Sequence, residues 1–346
     1  MSWNLTGGLR HMASLNALRN TLLPPSLKLM FWGRDMPSNG HPLGLAVFWA
    51  AARKIYPGWS VRVLKSKLDL VLSCVKASHE LSELLDQPQY AALIHELKER
   101  PEILGFVQWP YIHAGWLLTH RFEALSQHRQ AVCTDMFALN IDVARILVVA
   151  DLSNVSPGLR LTVDQAPWCL REGSLVFNQF LGEERMMSLA FSFGWRNGER
   201  VVYVGSVQGS NIDSALAKYR DIAKKLQGMR SRDFLVKCFQ FLMYHLGVEQ
   251  VLCIQDSQRH HRHSYFGISK VDKLHLNYDE IWLEHAGELT PAGFYRLPAL
   301  PKVRPIEEIA AKNRALYRRR YEMMDKLSND IRSRFGKAPQ NIESAF

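Results

Sequence analysis

The chain predicts a mixed α+β fold: a helical N-terminal part followed by a mixed β-sheet flanked by helices. Three observations carry this. Apolar residues recur at helical spacing in the N-terminal part, and β-branched runs take over from Val143. An Asn197-Gly198 pair lies between two such runs, the pattern of a type I′ hairpin turn. A helix with a wide apolar stripe then leads, after a very short connection, into another apolar run, the order of a parallel strand–helix–strand crossover.

Residues 1–140 read as a mainly helical region. Asp86–Gln89 is a polar break, Tyr90–Arg100 repeats apolar residues at helical spacing until Pro101 stops it, and Trp116–His128 is a second helical stretch. No internal repeat of solenoid period is present. Residues 141–300 read as a mixed-sheet α+β domain. Its strands are Ile146–Ala150, Ser174–Phe177 after a Glu172-Gly173 turn, Met187–Phe193, Val201–Gly205 and Gln250–Ile254. Ser214–Leu226 places Leu216, Tyr219, Ala223 and Leu226 on one helical face. Ser231–Leu246 carries Phe234, Leu235, Cys238, Phe239, Leu242, Met243 and Leu246 as a core stripe. Ser231 suits its N-cap, Asp233 the positive end of its dipole, and Gly247 the left-handed position after its end.

Leu289–Pro305 holds Pro291, Pro298, Pro301 and Pro305 and reads as an extended tether. Residues 301–346 form a basic helical tail. Within it Glu307–Arg334 is an Arg-rich helix with Ile309, Leu316, Met323, Leu327 and Ile331 as apolar positions, and Gly336–Phe346 is loose.

At 47% hydrophobic and 22% charged residues, the composition is globular and argues against disorder over most of the length. No apolar run approaches the ~20 residues a membrane crossing needs. The opening Met-Ser-Trp-Asn lacks a basic segment leading into an apolar one, so no secretory signal is expected. Five scattered cysteines, none in a CxxC pair, fit buried hydrophobes in a reducing compartment, and the expected location is the cytoplasm. The net charge is +10. Between Lys302 and Lys337 eleven Lys or Arg face five Asp or Glu, a surplus of six, so most of the excess belongs to the tail.

Each motif with chemical potential has a plain alternative. Gln208-Gly209, after a strand, is either a ligand-facing turn or a loop whose Asn211 or Asp213 caps the next helix. In Arg259-His260-His261-Arg262-His263 three imidazoles fall within four positions, but no carboxylate or thiolate is spaced nearby. Adjacent side chains in an irregular turn also do not converge automatically, so a solvated basic loop is the expectation, contact with phosphate or an acidic surface is the alternative, and no metal is assigned. Asp256, just after a strand, either forms a turn or orients a histidine such as His263 as a general base. Arg318, Arg319 and Arg320 stand between Tyr317 and Tyr321, which suits an anionic lipid or nucleic acid, or else a solvated helix. Core packing is the default for Trp195 and Trp282.

Several segments in order carry a family resemblance. They are Glu172–Leu175, Leu189–Phe193, Val202–Gly209, Lys225–Ser231, Leu246–Val248, Tyr278–Gly287, Phe294–Pro298 and Arg319–Tyr321. Together they resemble the VirK/YbjX family over roughly residues 75–335. That resemblance implies a bacterial protein linked to virulence and to tolerance of cationic antimicrobial peptides, with no agreed substrate, cofactor or catalytic residue. The hairpin, helix and strand order also resembles GNAT-type acyltransferases, where splayed strands hold the pantetheine arm of an acyl-CoA and a helix N-terminus holds its pyrophosphate. The resemblance would place the splay between Val201–Gly205 and Gln250–Ile254, and the phosphate site at Gly228, Arg230, Ser231 and Arg232. The usual glycine-rich phosphate loop is absent and an extra helix intervenes. Three functional readings follow: a cytoplasmic accessory protein of virulence or envelope stress, an acyltransferase-like enzyme, and a nucleic-acid-binding regulator.

Overall fold

The computed structural model describes residues 43–210, 214–267 and 276–336. Asn211, Asp213, the first 42 residues and the last ten lie outside these, with the expectations placed on them.

The N-terminal helices are α1 (Leu45–Ile55), α2 (Val61–Lys76), α3 (Ser78–Leu85), α4 (Ala91–Glu99) and α5 (Leu118–Cys133). Ser60 starts α2, its hydroxyl accepting from Val63 N at 3.3 Å. Arg100 caps the end of α4, and Pro101 after it opens a 3₁₀ run, Pro101–Val107. Buried Arg121 on α5 ties that run to the loop after it by donating to the carbonyls of Phe106, Trp109 and Trp116.

The sheet contains β1 (Leu147–Asp151), β2 (Leu159–Asp164), β3 (Leu175–Leu181), β4 (Glu184–Arg196), β5 (Glu199–Gly209), β6 (Gln250–Ile254), β7 (Glu288–Leu289) and β8 (Phe294–Leu297). Their order is β1-β2-β3-β4-β5-β6-β8-β7. All neighbours are antiparallel except β5 and β6, which run parallel with Val201 opposite Gln250 and Val204 opposite Cys253. The β4–β5 turn has Asn197 and Gly198 at φ 53° and 82°, as the hairpin pattern predicts. The α+β expectation and the parallel pair hold.

Between β5 and β6 run α6 (Ala215–Lys225) and α7 (Ser231–His245), followed later by α8 (Tyr278–Glu284) and α9 (Ala311–Phe335). Phe239 of α7 packs against Phe191 and Phe177 with ring centroids 5.0 and 5.8 Å apart. One contiguous core extends from Phe48 through the sheet to Phe335.

Four local expectations change. The α6 face is turned, so that Ile222 and Ala215 are buried while Leu216 is 61% exposed. Ser231 is the first residue of α7 rather than its cap; Arg230 holds the extended cap position. Leu289–Pro305 is not wholly a tether, because Phe294–Leu297 pairs antiparallel with β6. The last helix begins at Ala311 and buries Met324 rather than Met323, beside Leu327 and Ile331. Four of the five cysteines are buried, Cys133 being the exposed one, and all are free thiols. Among the described residues no helix is long and apolar enough to cross a membrane.

Candidate functional site

Polar side chains converge at the far end of β5, where that strand outruns β6. Gly205 is the extra residue of a bulge: Ala190 pairs with Ser206 and Phe191 with Val204. A Cβ at Gly205 would lie 2.0 Å from the Glu172 carbonyl oxygen, and one at Gly173 would lie 2.4 Å from Phe191 N. The two glycines let the Glu172-Gly173 main chain lie directly on the sheet. That contact puts the Glu172 carboxylate, 3% exposed, over the face of β5 that carries Ser206 and Gln208. Ser206 Oγ donates to Glu172 Oε2 at 2.8 Å, and Gln208 Nε2 donates to the same oxygen. His260 Nε2 lies 3.7 Å from the other oxygen, Oε1. Burial pushes the Glu172 carboxyl up to about 7, against the lowering effect of the Ser206 and Cys169 bonds and the charges of Arg259 and Arg171.

His260 and His261 lie in the loop after β6, with ring centroids 3.7 Å apart, and Phe266 packs against both rings. Arg259 lies over the Tyr278 ring at 3.8 Å and pairs with Asp256 at 3.2 Å. Asp256 also binds Arg262 and accepts from Tyr278 N. It is a loop-fastening carboxylate, held below its ordinary value because these bonds outweigh its burial. The structure does not bring Asp256 and His263 together as a base pair. His263 Nδ1 accepts from Tyr265 N, and its Nε2 lies 3.4 Å from Arg121.

A second region lies at the head of α7. A cavity of about 340 Å³ there has Met187, Tyr219 and Ala223 as its less polar wall. Arg220, Arg230, Arg232 and Ser231 complete it. Arg230 and Arg232 both reach Asp233 and Glu284, leaving three guanidiniums against two carboxylates. Asp233 Oδ1 is also 3.6 Å from His285 Nε2. Burial alone would raise Asp233, but its bonds to His285 and Arg230 and the two arginine charges hold it well below the usual carboxylate range. Ser231 is 4% exposed and its hydroxyl has no hydrogen-bond partner in the structure. Gly209 abuts this region, since a Cβ there would lie 2.9 Å from the Tyr219 hydroxyl. Gln208 and Gly209 are thus divided between the two regions. Gly228, at φ +76°, faces Arg320 and Leu316 of α9 rather than the cavity.

Tyr278 stands where β5 and β6 part. Its hydroxyl donates to Val207 O and accepts from Val207 N, both at 3.0 Å. The next turn of α8 sends Trp282 Nε1 to Ile254 O at 2.8 Å. The splay predicted between Val201–Gly205 and Gln250–Ile254 is therefore closed by ladder pairing up to Val204 and filled by Tyr278 beyond it. On α9, Arg320 donates twice to Gln227 O and Arg319 to Gln227 Oε1. Two of the three tail arginines thus help dock the helix, while Arg318 is exposed.

Sequence reasoning missed Glu172 as a site residue. It offered only the Glu-Gly turn itself, because the partners of Glu172 are 34 and 88 positions away.

Comparison with known proteins gives a coherent result. A family model described as "Protein of unknown function (DUF535)" matches residues 60–333. An uncharacterised Haemophilus influenzae protein is 32% identical over 148 residues, 43% of this chain and 48% of that relative, so the match spans about half its length. The uncharacterised Escherichia coli protein YbjX is 24% identical over 302 residues, covering 84% of this chain and 90% of YbjX. A second H. influenzae protein is 26% identical over 235 residues, 66% and 77% of the two chains. No solved structure matches.

Proposed function

The chain belongs to the DUF535 family, and on that footing we propose that it binds a phosphate-bearing acyl donor of the acyl-CoA class at the head of α7. In the cell it would serve as a cytoplasmic accessory protein of virulence or envelope-stress tolerance, as the VirK/YbjX resemblance implies. One observation carries the ligand reading: three arginines line a cavity at the N-terminus of a fifteen-residue helix, and Ser231, whose buried hydroxyl has no hydrogen-bond partner, is among the lining residues. Unsatisfied N–H groups and the positive end of the helix dipole favour a phosphate there. Met187 and Ala223 supply the apolar wall an acyl or pantetheine chain would need.

The strand order and the parallel pair support an acyltransferase-like ancestry, but Tyr278 occupies the main-chain groups of Val207 against which a pantetheine arm would lie. The proposal is therefore binding, and no transfer step is assigned. The nucleic-acid reading is weaker, because Arg319 and Arg320 are engaged with Gln227.

Calorimetry with acetyl-CoA, palmitoyl-CoA and inorganic phosphate tests this. Micromolar binding of a CoA ester is expected, weakened at least tenfold by Arg220→Glu and weakened further in wild type by salt. Absence of heat and of thermal shift at millimolar CoA ester would refute it.

A further inference from the structure

We propose that Glu172, His260 and His261 form a binding site for a first-row divalent transition metal, with zinc the default occupant. This site is independent of the ligand proposed at the head of α7. One objection the sequence raised was that the histidine run has no carboxylate or thiolate near it. The fold supplies a carboxylate from 88 positions away in the chain. One ligand atom from each of the three residues lies within 4.8 Å of the others. Ligands of a tetrahedral zinc ion at about 2.0–2.1 Å stand about 3.3 Å apart, and His260 Nε2 is already 3.7 Å from Glu172 Oε1. Side-chain rotations of about an ångström would complete the set.

The surroundings resemble those of a built metal site. Ser206 and Gln208 hold Glu172 Oε2, which fixes the carboxylate plane and leaves Oε1 turned toward the histidine. Outer partners of this kind orient carboxylate ligands in metalloproteins. Glu172 and His260 are nearly fully buried, and the Phe266 ring walls both imidazoles, lowering the local dielectric. Two imidazoles and one carboxylate suit zinc and its first-row neighbours rather than calcium or magnesium. Three protein ligands also leave a fourth position for water, the arrangement of a reactive rather than a purely structural centre. Two cations oppose the ion. Arg259 is partly neutralised by Asp256, and Arg171 is drawn onto the Trp109 ring at 4.3 Å. Affinity in the micromolar range, rather than the tighter range of structural zinc sites, is the consequence.

The test uses the full chain without a histidine tag, stripped with a chelator and titrated with Co²⁺, then competed with Zn²⁺. We expect one Co²⁺ per chain with a tetrahedral visible spectrum, displaced by Zn²⁺, and a thermal upshift with either ion. Glu172→Gln and His261→Ala should each weaken binding at least tenfold, whereas exposed His79→Ala should not. His261 is only half-buried, so its variant keeps the test valid if the Glu172 variant fails to fold. Binding of CoA esters should survive His261→Ala, which separates this site from the one at α7. The proposal is overturned if wild type takes up no ion at these concentrations, if both variants bind as wild type does, or if the spectrum shows thiolate ligation that is insensitive to His261→Ala.

Discussion

The two polar regions at the end of β5 share neighbouring residues of one strand but are built on opposite principles. Around Glu172 the polar groups are buried, so neutral donors from Ser206 and Gln208 do much of the holding. The main chain must also come so close that position 205 admits no side chain. At the head of α7 the groups face an accessible cavity, so charge is used freely: three arginines, two carboxylates and a helix terminus. The difference follows from desolvation. A buried carboxylate is tolerated only with close partners, whereas half-exposed guanidiniums lose little by sharing them. The buried region should therefore be sensitive to shape, and the open one to charge and salt.

Gly205→Ala is the strongest way to break this contrast. It should destabilise by roughly 3–5 kcal/mol in urea unfolding, since backbone must move to admit the methyl group. A loss under about 1 kcal/mol would show that the Glu172 segment yields easily. Asp233→Asn should cost about 2 kcal/mol at neutral pH, since it removes one of the two carboxylates that Arg230 and Arg232 share. The folded carboxyl of Asp233 lies well below its ordinary 3.8. Its contribution is therefore complete above that value and is lost as pH falls through it toward the folded one. The gap between wild type and variant should narrow below about pH 4; a constant gap would assign the effect to packing. Tyr278→Phe removes one donor and one acceptor from Val207 and should cost about 1–2 kcal/mol, with amide exchange at Val207 accelerating. Arg220→Glu is the smallest, within about 0.5 kcal/mol of wild-type stability, yet it should abolish most CoA-ester binding in the same preparation.

What the sequence made legible was local. The β4–β5 hairpin, the stripe of α7 and the Gly247 stop follow from spacing and turn chemistry within short windows, and the β5–β6 pairing from the order strand, helix, strand. β2 was missed although Leu159, Leu161 and Val163 are buried and alternate with Arg160 and Thr162 in the sequence. β8 was hidden by composition: Phe294–Leu297 is a four-residue strand between Pro291 and Pro298, and prolines flanking a strand do not prevent one inside it. Of the candidate residues, Arg230, Ser231 and Arg232 do line one cavity, and Gln208 does reach a polar centre. The identity of that centre was not readable. Glu172, Gly205 and His260 meet only because a bulge, a glycine and a loop coincide in space. Nor could composition show that Arg320 spends its guanidinium on the carbonyl of Gln227.

The Tyr265 hydroxyl has a consequence for how the molecule assembles. It accepts from Trp109 Nε1 at 3.0 Å across 156 positions and lies 3.3 Å from the Tyr56 hydroxyl across 209. Bonds between such distant positions raise the contact order of the chain and cannot form until long loops have closed. The segment bearing His260 and His261 is thus tied to the N-terminal helices by some of the most non-local polar contacts of the fold. Those helices can gain their pitch early, while their docking against the loop after β6 belongs to the slow end of folding. Partial unfolding in the native ensemble should retrace that order, releasing the histidine loop and the first helices as one unit before the sheet opens.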